Sequence, residues 1–237
     1  MEALEHPSPI AALINALLAP LGVHAPDHLI FCGLIALFIL VLGLAIRSQL
    51  SIEHPGTLQI VLEDTVSFFV SVLEANLGHQ GRAFLPLLGT IFVFIWIGNM
   101  MGQIPGLGAP TSNINVPFAC ALTVVIYYHF HGVRTQGIIS YIKHFAVIPG
   151  VPIVLAPMIF LIEIISHLSR VLSLTLRLFG NIFGEHVVVL IIAGIVPLIA
   201  PLPIQFLGLI VGTLQAFIFM TLAAIYLGAA VAVDEHH

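Results

Sequence analysis

Between Arg82 and Arg134 lie 51 residues without a single Asp, Glu, Lys or Arg. A soluble domain draws about a quarter of its residues from those four types. A stretch this long and uncharged has no place on a solvated surface. It is also too long for one membrane crossing, which takes roughly 20 apolar residues. GQIPGLGAPTSNINVP interrupts it with Gly, Pro, Asn and Ser. The stretch therefore reads as two spans, near 83–101 and 116–131, joined by a turn.

The rest of the chain has the same character. Of 237 residues, 59% are hydrophobic and 7% charged, with a mean hydropathy of +1.15. Such a chain lacks the polar surface to fold in water, so it is integral to a membrane. Six Lys and Arg in all argue against nucleic acid as a partner. A first span is expected from His28 to Ile46, closed by Arg47. Over 52–77 the apolar residues recur at helical spacing, with Glu63, Asp64 and Glu74 between them. That pattern predicts an amphipathic helix lying along the membrane surface. HGVRTQGIISYIKHF opens a polar linker over 132–148.

From Pro149 to Val233 the chain is nearly all apolar, and Pro197, Pro201 and Pro203 split it. One helix is expected near 152–195 and another near 204–231, ahead of the tail DEHH. The first far exceeds an upright crossing, and a long helix fits by tilting. The expected architecture is all-α: a single membrane domain with five embedded helices and one surface helix, behind an N-terminal segment, 1–27. That segment has Glu2, Glu5 and Pro7 where a signal peptide carries basic residues. It is expected to stay on the protein as a short surface helix. Cys32 and Cys120 both lie in apolar runs and read as small buried residues, not a disulfide or metal pair.

The cations give an orientation. Arg47, Arg82, Arg134 and Lys143 fall in linkers on one side, while 102–115 and 196–203 contain neither Lys nor Arg. The positive-inside rule puts the N-terminus outside and the C-terminus in the cytoplasm. No internal repeat suggests an inverted-repeat transporter.

Two cations remain, both within the 152–195 helix. Glu163, Arg170 and Arg177 are spaced by seven. Seven residues make about two helical turns, so the three share a face, each about 10 Å further along. Ser166, Ser169, Ser173, Gly180, Asn181 and Gly184 fall on or near it. A charge at the bilayer centre costs roughly 2.5–3.5 kcal/mol on insertion scales, so Arg177 needs a reason to be there. An arginine keeps its proton at any physiological pH, so this one cannot shuttle protons. It can hold a nearby acid in its ionised form. The plainer reading, a fastening pair with Glu163 or Glu185, fits poorly. Glu163 lies about 20 Å along the axis, and Glu185 is about 80° off the face. Arg170 reads equally as a side chain snorkelling to the interface. Glu163 is either a solvated mouth residue or a relay group. His186 lies about 180° round from Arg177. It is either a proton relay or a neutral ring bonded to a carbonyl, and Glu185 beside it favours the relay.

Two rival functions fit the composition less well. A self-contained channel or secondary transporter for metals has His129 and His131 as candidate ligands, but no third or fourth ligand converges on them in sequence. An intramembrane hydrolase needs a nucleophile beside a base, and Ser166 and His167 point about 100° apart on a helix. No phosphate-cradling glycine loop is visible, so nucleotide chemistry belongs to another chain.

LSLTLRLFGNIFGEH, with LIEIISHLSR before it and TLQAFIFMTLAAIYL after it, resembles subunit a of the bacterial F-type ATP synthases. The helix order fits along nearly the whole chain, including the PTSNIN turn. The resemblance implies a non-catalytic stator in the bacterial inner membrane. Its fifth and sixth helices form a tilted hairpin against a rotor ring of carboxylate-bearing c subunits, and the b-subunit stalk and the rest of the synthase are further partners. It implies protons as the transported ion, two half-channels, no cofactor and no direct nucleotide binding. Arg177 matches the family's essential arginine. Asn181 matches the asparagine of the RLFGN block, at the inlet. His186 sits where other members carry Glu or His, nine after the arginine. Glu185 replaces a glycine and is an additional acid. Gln215 matches the glutamine that packs near the arginine. Gly208 stands where some members carry a titratable residue, a lack that His186 and Glu185 together are expected to supply. Glu163 matches an acid toward the cytoplasmic outlet, with Ser166 and Ser173 on the same side. Asn115 is assigned to the outer mouth.

Overall fold

A computed structural model describes residues 8–22, 24–47, 50–51, 55–104, 107–138, 141, 153–195 and 200–231. The described residues form seven α-helices and short 3-10 turns: α1 (Pro9–Leu18), α2 (Asp27–Arg47), α3 (Thr57–Leu77), α4 (Gly81–Gly102), α5 (Asn115–Gln136), α6 (Ala156–Ile195) and α7 (Pro201–Val231). All except α1 and α3 are long and apolar enough to cross a membrane. Because the N-terminal segment supplies α1, the fifth and sixth helices of the sequence are α6 and α7. Lys143, Pro149, Pro197, Val233 and the DEHH tail lie outside the described residues.

The helix ends follow local chemistry. Ser8 caps α1 by accepting the Ala11 N–H at 3.1 Å, and Pro9 opens the first turn. Asn15 folds α1 back toward α2. Its amide donates to the Ala25 carbonyl at 3.0 Å, and its oxygen accepts the Ala25 N–H at 3.1 Å. α5 runs on to Gln136, into the stretch read as linker, and stops at Gly137 with φ +81°. Its last turn is tied down, since the Gln136 side chain donates to the Ala230 carbonyl at 3.2 Å.

α7 is the hub. Ala216, Phe219, Met220, Ala223, Ala224 and Leu227 are all buried. They recur at the spacing of one helical stripe, and its small members let neighbours approach closely. α3, α4, α5 and α6 all pack against it. At Gly228 a Cβ would meet the Asn76 carbonyl at 2.8 Å, so the end of α3 needs a glycine there. α3 keeps Glu63, Asp64 and Glu74 exposed, as an amphipathic helix should, while Phe69 and Leu73 join the core. α6 is different. In its most apolar window only 11% of residues are buried, against 39% for α7. Most of its surface faces away from the chain.

Candidate functional site

α6 is an unbroken helix of 40 residues, about 60 Å long at 1.5 Å per residue. Its inward face is apolar, with Val171, Leu174, Thr175, Leu178 and Ile182 buried. Arg177, Ser169, Ser173 and Gly180 are on the exposed side. Among the described residues Arg177 has no hydrogen-bond or ion-pair partner. A side chain at Gly180 or Gly184 would meet nothing within 4 Å, so the surface beside the guanidinium is open. Leu176, the residue preceding Arg177, is exposed as well.

One turn from Arg177, the Asn181 amide donates to the Gln215 side-chain oxygen at 2.8 Å. Gln215 is buried on α7, so this bond pins α6 to α7 directly beside the arginine. The sequence candidates Arg177, Asn181 and Gln215 are thus brought to one level of the fold.

Two turns further along, Glu185 points into α7 at Gly208. A Cβ at position 208 would fall on the Glu185 carboxylate, so the missing side chain is the space that the acid fills. Gln103, just past the end of α4, donates to Glu185 Oε1 at 2.7 Å. His186 also meets the end of α4. Its Nε2 is buried without a hydrogen-bond partner among the described residues. A Cβ at Gly102 would lie 3.0 Å from it. An orphaned buried ring nitrogen is an unmet demand for a proton or a water.

The same end is braced by a buried amide. Asn99 is fully buried on α4; it donates to the Gly212 carbonyl at 3.0 Å and accepts from the Thr111 hydroxyl at 2.9 Å. The PTSNIN turn is thereby fixed to α4 and α7. Asn115 is exposed as the first residue of α5 and does not join this cluster.

At the other end of α6, Glu163 pairs with His167, Oε1 to Nε2 at 3.3 Å. Arg170 is half-buried, its guanidinium carbon 5.0 Å from the centroid of the Tyr226 ring on α7. That is cation–π range, so Arg170 turns toward α7. Ser166 is half-buried, with its carbonyl accepting from the Ser169 hydroxyl at 2.8 Å.

Of the transporter's candidate ligands, His129 bonds the Tyr141 hydroxyl at 2.8 Å and His131 stands edge-on to Phe84. Among the described residues no three His, Cys, Asp or Glu side chains are grouped to hold a metal.

The chain was compared with known proteins. A family model described as ATP synthase A chain matches residues 29–228. ATP synthase subunit a of Citrifermentans bemidjiense is 42% identical over 224 residues, covering 94% of this chain and 96% of that protein. The subunit of Geotalea daltonii is 40% identical over 235 residues, covering 98% and 99%. That of Campylobacter fetus subsp. fetus is 41% identical over 217 residues, covering 90% and 94%. This chain belongs to the ATP synthase A chain family. The RLFGN and LQAFIF blocks that carried the resemblance are the segments joined by the Asn181–Gln215 bond.

Within this ATP synthase A chain, the residues that sequence reading missed are Gln103, Asn99, Thr111, His167 and Tyr128. Asn99 stands alone among apolar residues in a span, and such a residue is a functional candidate by default. His167 follows Glu163 by four, a contact spacing on any helix. Gln103 and Tyr128 carry no such signal.

Proposed function

We propose that this chain is the stator subunit a of an F-type ATP synthase, with Arg177 at the point where rotor acids exchange protons. The N-terminus lies outside and the C-terminus in the cytoplasm. The observation that carries the reading is Arg177 itself: an exposed cation on an apolar helix face, unpartnered among the described residues.

A permanent cation in a low-dielectric layer needs an anion. The partner with suitable chemistry is a carboxylate on the c-subunit ring. Such an acid travels through lipid only when protonated, because an ionised carboxylate is too costly to bury. Opposite Arg177 the ionised form is favoured, so the acid releases its proton there. Past it, the acid takes up another proton from the opposite half-channel before re-entering lipid. The Asn181–Gln215 bond supports this by holding the arginine's helix against α7.

Glu185 and His186 serve the outer half-channel. Glu185 supplies, in the space above Gly208, the acid that position 208 lacks. Glu163, with Ser166 and Ser173, serves the cytoplasmic half-channel. Each proton crossing releases about 2.3 kcal/mol per 100 mV of potential. ATP chemistry belongs to other subunits, and the b-subunit stalk anchors this one.

The test is Arg177→Ala in the assembled complex in membrane vesicles. ATP-driven proton pumping and ATP synthesis should vanish while assembly survives. Coupled pumping at the wild-type rate would refute the reading.

A further inference from the structure

The stator reading leaves one polar grouping without a task. His167 on α6 uses both ring nitrogens. Nδ1 lies 2.6 Å from the Tyr128 hydroxyl on α5, and Nε2 lies 3.3 Å from Glu163 Oε1. An ionised carboxylate only accepts, so Nε2 is the donor. Nδ1 is then the acceptor, and the Tyr128 hydroxyl donates to it. The arrangement is a directed chain from α5 through His167 to Glu163. Tyr128 is fully buried, whereas Glu163 keeps 38% of its side chain exposed. One end of the chain is anchored in the core and the other reaches the surface.

We infer that His167 is a positioning residue for the outlet acid, with Tyr128 fixing its ring so that Nε2 presents a donor to Glu163. This rests on the stator reading, in which Glu163 passes protons at the cytoplasmic mouth. Glu163 is partly exposed and would otherwise sample several rotamers. A hydrogen bond to a charged acceptor biases such a choice roughly tenfold.

In this role the ring needs no charge: it accepts from Tyr128 and donates to Glu163. Among the described residues, charged or titratable groups around it include Arg170 on α6, His129 on α5, Tyr141 beyond α5 and Tyr226 on α7. The His129 and His167 ring centroids lie 4.8 Å apart.

The experiment uses the whole synthase in inverted vesicles, with ATP-driven acidification followed at neutral pH. His167→Leu should lower the rate roughly tenfold at neutral pH, by loss of the bond to the acid. His167→Gln, which can accept from Tyr128 and donate to Glu163 without titrating, should restore most of that rate. Tyr128→Phe keeps the ring packing and should lower the rate several-fold, which covers the case in which the leucine variant fails to assemble. A leucine variant at the wild-type rate would overturn the inference, as would a glutamine variant no faster than the leucine one or a normal phenylalanine variant. Arg177→Ala in parallel separates the two claims. If it still pumps, the stator reading fails; if it is dead while the His167 variants match wild type, only the present inference fails.

Discussion

Replacing Gly208 by alanine adds one methyl group at the place the Glu185 carboxylate occupies. The carboxylate is the far end of a flexible side chain, so it can move away with little steric strain. The cost lies in what it leaves behind. Its bond from Gln103 Nε2, 2.7 Å long, is lost. A hydrogen bond to a charged group contributes about 1.5–3 kcal/mol, which is roughly a 10- to 150-fold change in the population of the seated acid. ATP synthesis by vesicles under a fixed imposed proton gradient should fall by about that factor if the seated acid feeds the inlet. Subunit recovery in the purified complex should be unchanged. The decisive comparison is a double-mutant cycle with Glu185→Ala. With the acid already gone, the alanine at 208 has nothing to displace and should add almost no further loss. Residues in contact show such non-additivity, and independent ones do not. If Gly208→Ala costs as much without Glu185 as with it, the notch does not seat the acid and the argument is wrong.

Two further outcomes follow from the packing. Asn99→Leu strands the Thr111 hydroxyl, which now donates to the amide, and removes the amide's bond to the Gly212 carbonyl, which keeps its place in the α7 ladder. Buried polar groups left without partners cost about 1–3 kcal/mol each, so the midpoint of thermal release of this subunit from the complex should fall, and an unchanged midpoint would count against the brace. Burial, as the largest cause, pushes the Tyr141 phenol up to about 12 from 10.0. A raised acid stays neutral in the native state, so its contribution is fully present below pH 10 and is lost as pH rises toward 12. The phenolate absorbance that distinguishes wild type from Tyr141→Phe should therefore emerge only above about pH 11.

The spans were legible because the bilayer imposes a length and a polarity that few other environments demand. Thus the span expected at 28–46 is α2, Asp27–Arg47, and the pair near 83–101 and 116–131 are α4 and α5. The polar stripe on α6 was legible too, from a seven-residue spacing. What periodicity cannot encode is the partner across helices. Gln103 meets Glu185 across 82 residues of chain, and Tyr128 meets His167 across 39. Both contacts depend on how far one helix slides along another, which a one-dimensional pattern does not record. Gly208 shows the same limit. In sequence it is a missing acid; in the fold it is the room for one supplied by α6.

The polar groups of α6 also bear on why a rotor is needed at all. Glu163 and Arg177 are fourteen residues apart, and Arg177 and Glu185 eight. At about 1.5 Å per residue these are separations of about 21 Å and 12 Å, whereas one hydrogen bond spans about 3 Å. Between Glu163 and Arg177 the exposed side of the helix offers only serines beside its leucines and isoleucines. An arginine side chain is no proton relay at physiological pH. Among the described residues, then, the side chains of α6 form no continuous relay from the Glu185 end to the Glu163 end. An imidazole or carboxylate placed midway would create one, and protons would cross without turning anything. A fixed cation there repels them instead, and the open surface beside it leaves room for an acid that arrives from outside the chain. The gap between the two clusters is therefore as much a part of the proposed mechanism as the clusters themselves. In that proposal a moving carboxylate is the carrier between two half-channels that do not meet.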